Sequence, residues 1–182
     1  MSRVPPPPAT TDAAREPMPL AEVNLADLDR FTDGVTPWRM FHTLRHQDPV
    51  HRQPESAPNS GFWAVTRHAD IARVDRDPET LGGKRVRAGE KVVMWFASGN
   101  RDEEVFGAPY AFDVARRDND HLTFGKGGPH LCLGNQLART EIRVLFEELV
   151  PRLADARLAG EARVRSNFVN GIKRLPVRVT LA

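Results

Sequence analysis

The strongest constraint on the fold is an apolar stripe that begins directly after Gly134. Its members recur at intervals of three and four residues, which is the spacing of one face of an α-helix: Leu137, Ala138, Ile142, Leu145, Phe146, Leu149 and Leu153. A glycine-rich segment with the only cysteine, Cys132, comes immediately before it. The pattern predicts that the longest helix of the chain follows a glycine-rich loop and ends between Pro151 and Ala159.

Composition places the chain among globular proteins and excludes several functions. Of its 182 residues, 40% are hydrophobic and 27% are charged, which is enough apolar surface for a core. No apolar run approaches the ~20 residues of a membrane span, and no secretory signal is visible, so we expect a cytoplasmic protein. The formal charge of +2 comes from mixed signs and gives no case for nucleic acid as a partner. A single cysteine excludes an intramolecular disulfide and an iron–sulfur cluster.

Prolines and glycines divide the first half into short pieces. Residues 1–20 are rich in proline and are expected to be a disordered leader. A helix is predicted from Pro37 to Arg45, where Trp38, Phe41 and Leu44 are three residues apart. A β-hairpin is predicted from 49–52 and 61–66, followed by a second helix over 67–77.

The second half is predicted to contain more β-structure around a long loop. Residues 82–96 indicate two strands around an Ala88-Gly89 turn, and residues 100–122 have no periodicity, which is typical of a packed or functional loop. Strand-like segments between residues 164 and 181 flank Asn170-Gly171, a turn dipeptide.

Cys132 is the residue best placed for chemistry. At a helix N-terminus, backbone N–H groups and the helix dipole favour a thiolate, which could bind a metal as an anionic sulfur. Glycines allow a flat, bulky group to approach the backbone, and His130 could donate to an acidic group on it. From the residues alone, a lone cysteine is more often a small buried hydrophobic residue, and His130 is more often structural. A mononuclear metal site at His130-x-Cys132 has two ligands where three or four are normally needed.

Residues 124–134 resemble the haem-binding loop of the cytochrome P450 family, which has Phe, two residues, Gly, a basic residue, then Cys and Gly. This chain has one more residue between Gly127 and Cys132 than the commonest form. Other segments are similar to the family as well. Residues 100–106, with Phe112-Asp113 and Arg116, resemble its meander, residues 166–177 its C-terminal hairpin, and residues 49–51 and 61–70 its first strands and the following helix.

The resemblance implies an α+β fold that is mainly helical with small β-sheets, a partial cytochrome P450 fold that lacks the central helices. It divides the chain into the leader at 1–20, an N-terminal helix and β segment at 21–81, and a C-terminal segment at 82–182. The C-terminal segment would contain a β-hairpin formed by the two strands of residues 82–96, the meander, the haem-binding loop, the long helix and the terminal hairpin. The helical middle of the family is missing at the junction near Leu81, and no Glu-x-x-Arg tetrapeptide precedes the meander. Arg116, which pairs with that motif in the family, is therefore expected to be an unpaired surface arginine.

By the same resemblance, haem b is the cofactor and the Cys132 thiolate is the ligand of its iron. His130 would hydrogen-bond a haem propionate, and Phe124 would pack near the proximal face of the ring. Gly125, Gly127 and Gly134 would allow the close approach of the ring. Phe168 and Val169 would lie on the hairpin that reaches the substrate pocket.

The implied function is that of a haem-thiolate oxidoreductase or monooxygenase that binds iron and haem. Its electron donors would be a ferredoxin and a ferredoxin reductase, and its substrate a hydrophobic small molecule such as a sterol or a branched lipid. Because the oxygen-activating helix is missing, impaired or no turnover is expected. The alternative is a non-enzymatic remnant that does not bind haem stably. In either case the central helices that would cover the apolar stripe of the long helix are missing. We therefore expect this stripe to be exposed and the chain to self-associate.

Overall fold

The computed structural model describes residues 16–58, 60–77, 80–81, 84–160 and 174–182. It contains helices and small sheets, as the sequence predicts. The helices are α1 (Thr36–Gln47), α2 (His68–Arg76), α3 (Phe96–Gly99) and α4 (Asn135–Leu149). The strands are β1 (Val50–Gln53), β2 (Phe62–Val65), β3 (Thr80–Leu81), β4 (Lys84–Arg85), β5 (Lys91–Met94), β6 (Leu153–Leu158) and β7 (Val177–Leu181). No helix in these ranges is both long and apolar enough to cross a membrane.

The predicted elements of the first half form as expected. Pro37 lies in the first turn of α1, where its missing N–H costs nothing. Strands β1 and β2 pair antiparallel, with Val50 opposite Val65 and Gln53 opposite Phe62. Helix α2 follows β2 after a two-residue connection, and its Ile71 and Val74 face the core.

The predicted pairing of the two strands within residues 82–96 is wrong. Both strands and the turn between them exist, and Gly89 in that turn has φ +88°. However, β4 pairs with β3, while β5 pairs parallel to β2 and completes the three-stranded sheet β1-β2-β5. Pairing with β2 buries more apolar surface, because Val92, Val93 and Met94 then pack against the two core clusters of the sheet.

The core lies almost entirely in the first two thirds of the chain. One cluster joins α1 to one face of the sheet and includes Phe31, Met40, Phe41, Leu44 and Trp95. A second cluster joins α2 to the other face and ends at Leu122. Met18 is buried, and its N–H and carbonyl both bond Thr43 Oγ1 at 2.9 and 3.0 Å. The folded part therefore begins before the predicted end of the leader at residue 20, and residues 1–15 lie outside the described residues.

The last third of the described chain is mostly exposed. Helix α4 forms where it is predicted, yet none of its residues is buried, and its five largest stripe residues are 40 to 63% exposed: Leu137, Ile142, Leu145, Phe146 and Leu149. Residues 153–158, assigned to the helix end by the sequence, form β6 and pair with β7. Pro151 explains the change, because it cannot continue the hydrogen bonds of a helix interior. The predicted turn at Asn170-Gly171, with Phe168 and Val169, lies outside the described residues.

The exposed stripe of α4 gives a prediction about association. We expect the chain to self-associate through this face, and Leu145→Glu to weaken association at least about tenfold, because a carboxylate cannot be buried unpaired at an apolar contact. Sedimentation velocity over a range of concentrations measures this. Thr140→Glu adds the same charge on the polar face of α4 and should leave the association unchanged. A monomer at all concentrations would contradict the prediction.

Candidate functional site

The loop between Leu122 and α4 is closed by its own backbone. The N–H of Cys132 donates to the carbonyl of Phe124 at 2.9 Å, and the N–H of Gly125 donates to the carbonyl of Leu122 at 2.9 Å. Gly125 and Gly127 have φ of +83° and +82°, a left-handed conformation that glycine adopts without strain. These two glycines therefore allow the chain to double back and place Cys132 at the head of α4.

Cys132 is tied directly to the first turn of the helix. Its carbonyl accepts hydrogen bonds from the backbone N–H of Asn135 at 3.2 Å and from Asn135 Nδ2 at 2.8 Å. The carbonyl of Gly134 accepts from Ala138 at 2.9 Å and begins the helical ladder. The backbone of Cys132 is therefore fixed on both sides, whereas its side chain is exposed.

The loop is attached to the core through Asp75, near the end of α2. Asp75 is 1% exposed, and its Oδ2 accepts the backbone N–H of Lys126 at 2.5 Å. Gly128 lies so close to α2 that a Cβ there would overlap the carbonyl of Asp75 and would lie 2.9 Å from Arg76 Cα. Gly128 is thus required for packing, and its contact brings the cysteine loop onto α2.

Exposed leucines lie close to the exposed cysteine in the chain. Leu131, Leu133 and Leu137 are all exposed, and Leu133 is completely so. A single exposed thiol is the donor that a haem-thiolate iron needs, so the chemistry of this residue is compatible with a haem ligand.

The other predicted site residues lie in the same loop but differ in their surroundings. Phe124 is half-buried, with the guanidinium of Arg139 5.0 Å from its ring centre and His121 edge-on at 6.1 Å. His130 is exposed and lies two residues before Cys132 in the chain. A Cβ on Gly127 would meet nothing within 4 Å, whereas one on Gly134 would approach only Cys132 Sγ, at 3.9 Å. Gly134 thus leaves room beside the sulfur.

The predicted role of Arg116 as an unpaired arginine is wrong. Its guanidinium donates to the carbonyls of Gly107, Ala108 and Ala111 at 2.5, 3.1 and 3.2 Å. The three carbonyls belong to a segment outside the helices and strands, and Arg116 gives each of them a hydrogen-bond donor. Residues 107–116 are thus held together by hydrogen bonds from one of their own side chains.

Two side chains fix the start of the loop, and the sequence did not indicate either. Asn100 Oδ1 accepts the N–H of Leu122 at 2.6 Å, and His68 Nε2 donates to the carbonyl of Asp120 at 2.8 Å. Burial lowers the pKa of His68, and the Lys126 ammonium lowers it further, against the opposing charge of Asp102. His68 is therefore neutral near pH 7, and the proton that the ring keeps is on Nε2, which faces the Asp120 carbonyl.

Asp75 was also missed, because an acidic residue near the end of a short amphipathic helix is ordinarily interpreted as part of a solvated face. No sequence signal marks it as the partner of Lys126, which is 51 residues away. Only the folded chain brings α2 and the loop together.

Comparisons with known proteins agree on one family. The sequence profile described as Cytochrome P450 matches residues 67–154. Linalool 8-monooxygenase of Pseudomonas putida is 42% identical over 135 residues, which are 71% of this chain and 33% of that protein. The methyl-branched lipid omega-hydroxylase of Mycobacterium bovis is 52% identical over 98 residues, which are 53% of this chain and 23% of that protein.

A solved structure supports the same relationship. The crystal structure of CYP108D1 from Novosphingobium aromaticivorans matches with a TM-score of 0.50 and 32% identity, covering 95% of this chain and 36% of that one. The chain thus spans about a third or less of the length of these relatives.

The contact of Gly128 with α2 gives a second prediction. Gly128→Ala should destabilise the chain by about 1–3 kcal/mol, because the added methyl group must displace the backbone at Asp75 and Arg76. Urea unfolding followed by circular dichroism measures the change. Gly107→Ala is the matched control, since a Cβ there meets nothing within 4 Å, and it should stay within about 0.5 kcal/mol of the parent chain. Equal stability of the two variants would contradict the contact.

Proposed function

The chain belongs to the cytochrome P450 family, and from that premise we propose that it is a haem-thiolate protein in which Cys132 binds the iron of haem b. The observation that carries the proposal is the exposed Cys132 at the head of α4, with its backbone fixed and three exposed leucines within five residues of it in the chain. When bound, a thiolate-ligated haem supplies oxygen activation, because the sulfur pushes electron density toward O–O cleavage.

The residues of the loop have separate tasks in this proposal. Phe124 packs beside the proximal face of the ring, and Gly125, Gly127 and Gly134 let the ring approach the backbone. His130 donates to a propionate at the edge of the ring. The N–H of Cys132 is already used by the carbonyl of Phe124 at 2.9 Å, which holds the sulfur-bearing residue in place before the haem arrives.

The reaction class we propose is monooxygenation, at strongly impaired or zero turnover. Oxygen activation needs water to be excluded and protons to be delivered on the face opposite the sulfur. The side chain of Cys132 is exposed among the described residues, which supports poor exclusion of water. The competing function is that of a non-enzymatic remnant without stable haem, which is favoured by the uncovered stripe of α4.

Partners and substrate are proposed from the family. We propose a ferredoxin with its reductase as electron donor, and a hydrophobic small molecule, in the class of branched lipids or sterols, as substrate. The names of the relatives, a linalool monooxygenase and a methyl-branched lipid hydroxylase, support branched apolar substrates.

The cytoplasm is the proposed compartment because a lone thiol stays reduced there. We also propose that two separate parts of the family fold, the segment at 21–81 and the segment at 82–182, are joined near Leu81.

Haem binding is tested by a spectrum. The full chain titrated with haem, reduced and treated with CO should show the red-shifted Soret band typical of the family, because a thiolate then ligates the iron. Cys132→Ser should lose the shift, and His130→Ala should weaken haem retention about tenfold by removing one propionate partner. His51→Ala, a histidine far from the loop, is the control. Absence of any Soret band would favour the remnant.

Turnover is tested separately. With a ferredoxin, its reductase and NADPH, product formed from linalool or a methyl-branched fatty acid should be at least about 100-fold slower than with a full-length relative, because the groups that position substrate and exclude water are missing. Product is quantified by mass spectrometry against NADPH consumed. Coupled turnover at the relative's rate would show that the proposed impairment is wrong.

A further inference from the structure

A second cluster of potential metal ligands lies away from Cys132, between α1 and the segment after α3. His42 and His46 are one helical turn apart on α1, and Glu103 faces both. Glu103 Oε1 is 3.7 Å from His42 Nε2 and 3.1 Å from His46 Nε2. One ligand atom from each of the three residues lies within 4.8 Å of the other two.

The hydrogen bond of His46 decides which of its two ring nitrogens is unprotonated when the ring is neutral. His46 Nδ1 is 2.9 Å from the carbonyl oxygen of His42, which can only accept, so Nδ1 carries the proton. Nε2 is then the ring nitrogen available to bind a cation, and it lies 3.1 Å from Glu103 Oε1. A cation beside both atoms would be held by the nitrogen lone pair and by the carboxylate charge together.

Glu103 is oriented by a separate partner. Its other oxygen, Oε2, accepts from Arg45 Nη2 at 2.8 Å, and Arg45 is 2% exposed and also bonds Ser98 Oγ at 3.1 Å. Burial raises the pKa of Glu103, but the charges and hydrogen bonds around the carboxylate, with the Arg45 guanidinium first among them, together lower it more, and the net pKa lies below the ordinary value. The carboxylate is therefore ionised and fixed, with Oε1 left for the two histidines.

We propose that His42, His46 and Glu103 bind a divalent transition-metal ion of the zinc class. Two imidazoles and one carboxylate are a common ligand set for zinc, with bonds of about 2.0–2.2 Å that place tetrahedral ligand atoms about 3.3 Å apart. The two measured separations from Glu103 Oε1, 3.1 and 3.7 Å, bracket that spacing. The hydrogen bonds of His46 Nδ1 and Glu103 Oε2 are the outer contacts that usually hold metal ligands in place.

The surroundings of the cluster leave room for an ion and for a fourth ligand. His46 is 51% and Glu103 33% exposed, so water can complete the coordination. The side chain of His42 is 20% exposed, and its helix is anchored in the core through Met40, Phe41 and Leu44. A bound ion would join α1 to the segment after α3 independently of haem.

The test uses the full chain with Cys132→Ser, so that the loop thiol cannot bind metal. Isothermal titration with Zn²⁺ should show one ion per chain, and Co²⁺ should give the visible absorption of a four- or five-coordinate site without thiolate. His46→Ala should weaken binding at least about tenfold, because it removes a ligand from a half-exposed position that the core does not need. Glu103→Gln should weaken it as well, by removing the charge.

His51→Ala is the matched control, since His51 pairs with Asp48 outside the cluster, and it should bind Zn²⁺ like the parent. Zinc should also raise the melting temperature of the parent and of His51→Ala, but not that of His46→Ala. The proposal is overturned if no Zn²⁺ binds. It is equally overturned if His46→Ala and Glu103→Gln both bind as tightly as His51→Ala.

Discussion

The buried carboxylate of Asp75 is the contact through which the cysteine loop joins the folded core. Oδ2 accepts the N–H of Lys126, while Oδ1 is buried without a hydrogen-bond partner among the described residues. A buried oxygen without a hydrogen-bond partner lowers the stability of the folded chain by about 1–3 kcal/mol, so packing around Asp75 must offset this loss. Gly128 against α2 and Leu122 in the second core cluster supply that packing.

The part of the chain after Leu122 has little other support. The α4 stripe faces solvent, and β6 pairs with β7 without a buried face. The exposed side chain of Cys132 and the exposed stripe of α4 lie in the same part of the chain. A haem bound as proposed would bury apolar area there, and its binding would then contribute to the folding of the last third of the chain.

The cluster of His42, His46 and Glu103 has the opposite character. Its helix is anchored in the first core cluster, and its carboxylate is held by a fully buried arginine. Ligand groups on rigid, packed elements need little reorganisation to accept an ion. The two proposed sites therefore differ in kind: the geometry of the cysteine loop is set mainly by its own backbone, and that of the side-chain cluster is set by the packed core.

The sequence by itself determined the local elements and the cysteine loop. Helical spacing located α1, α2 and α4, alternation and turns located β1 and β2, and the Phe124–Gly134 pattern pointed to the family, because each of these signals is carried by residues close together in the chain. Only the tertiary structure decided that β5 pairs with β2, that Met18 enters the core, that Arg116 binds three carbonyls and that Asp75 holds the loop. These contacts depend on which surfaces meet once apolar area is buried, and periodicity along the chain contains no information about partners 25 or 51 residues away.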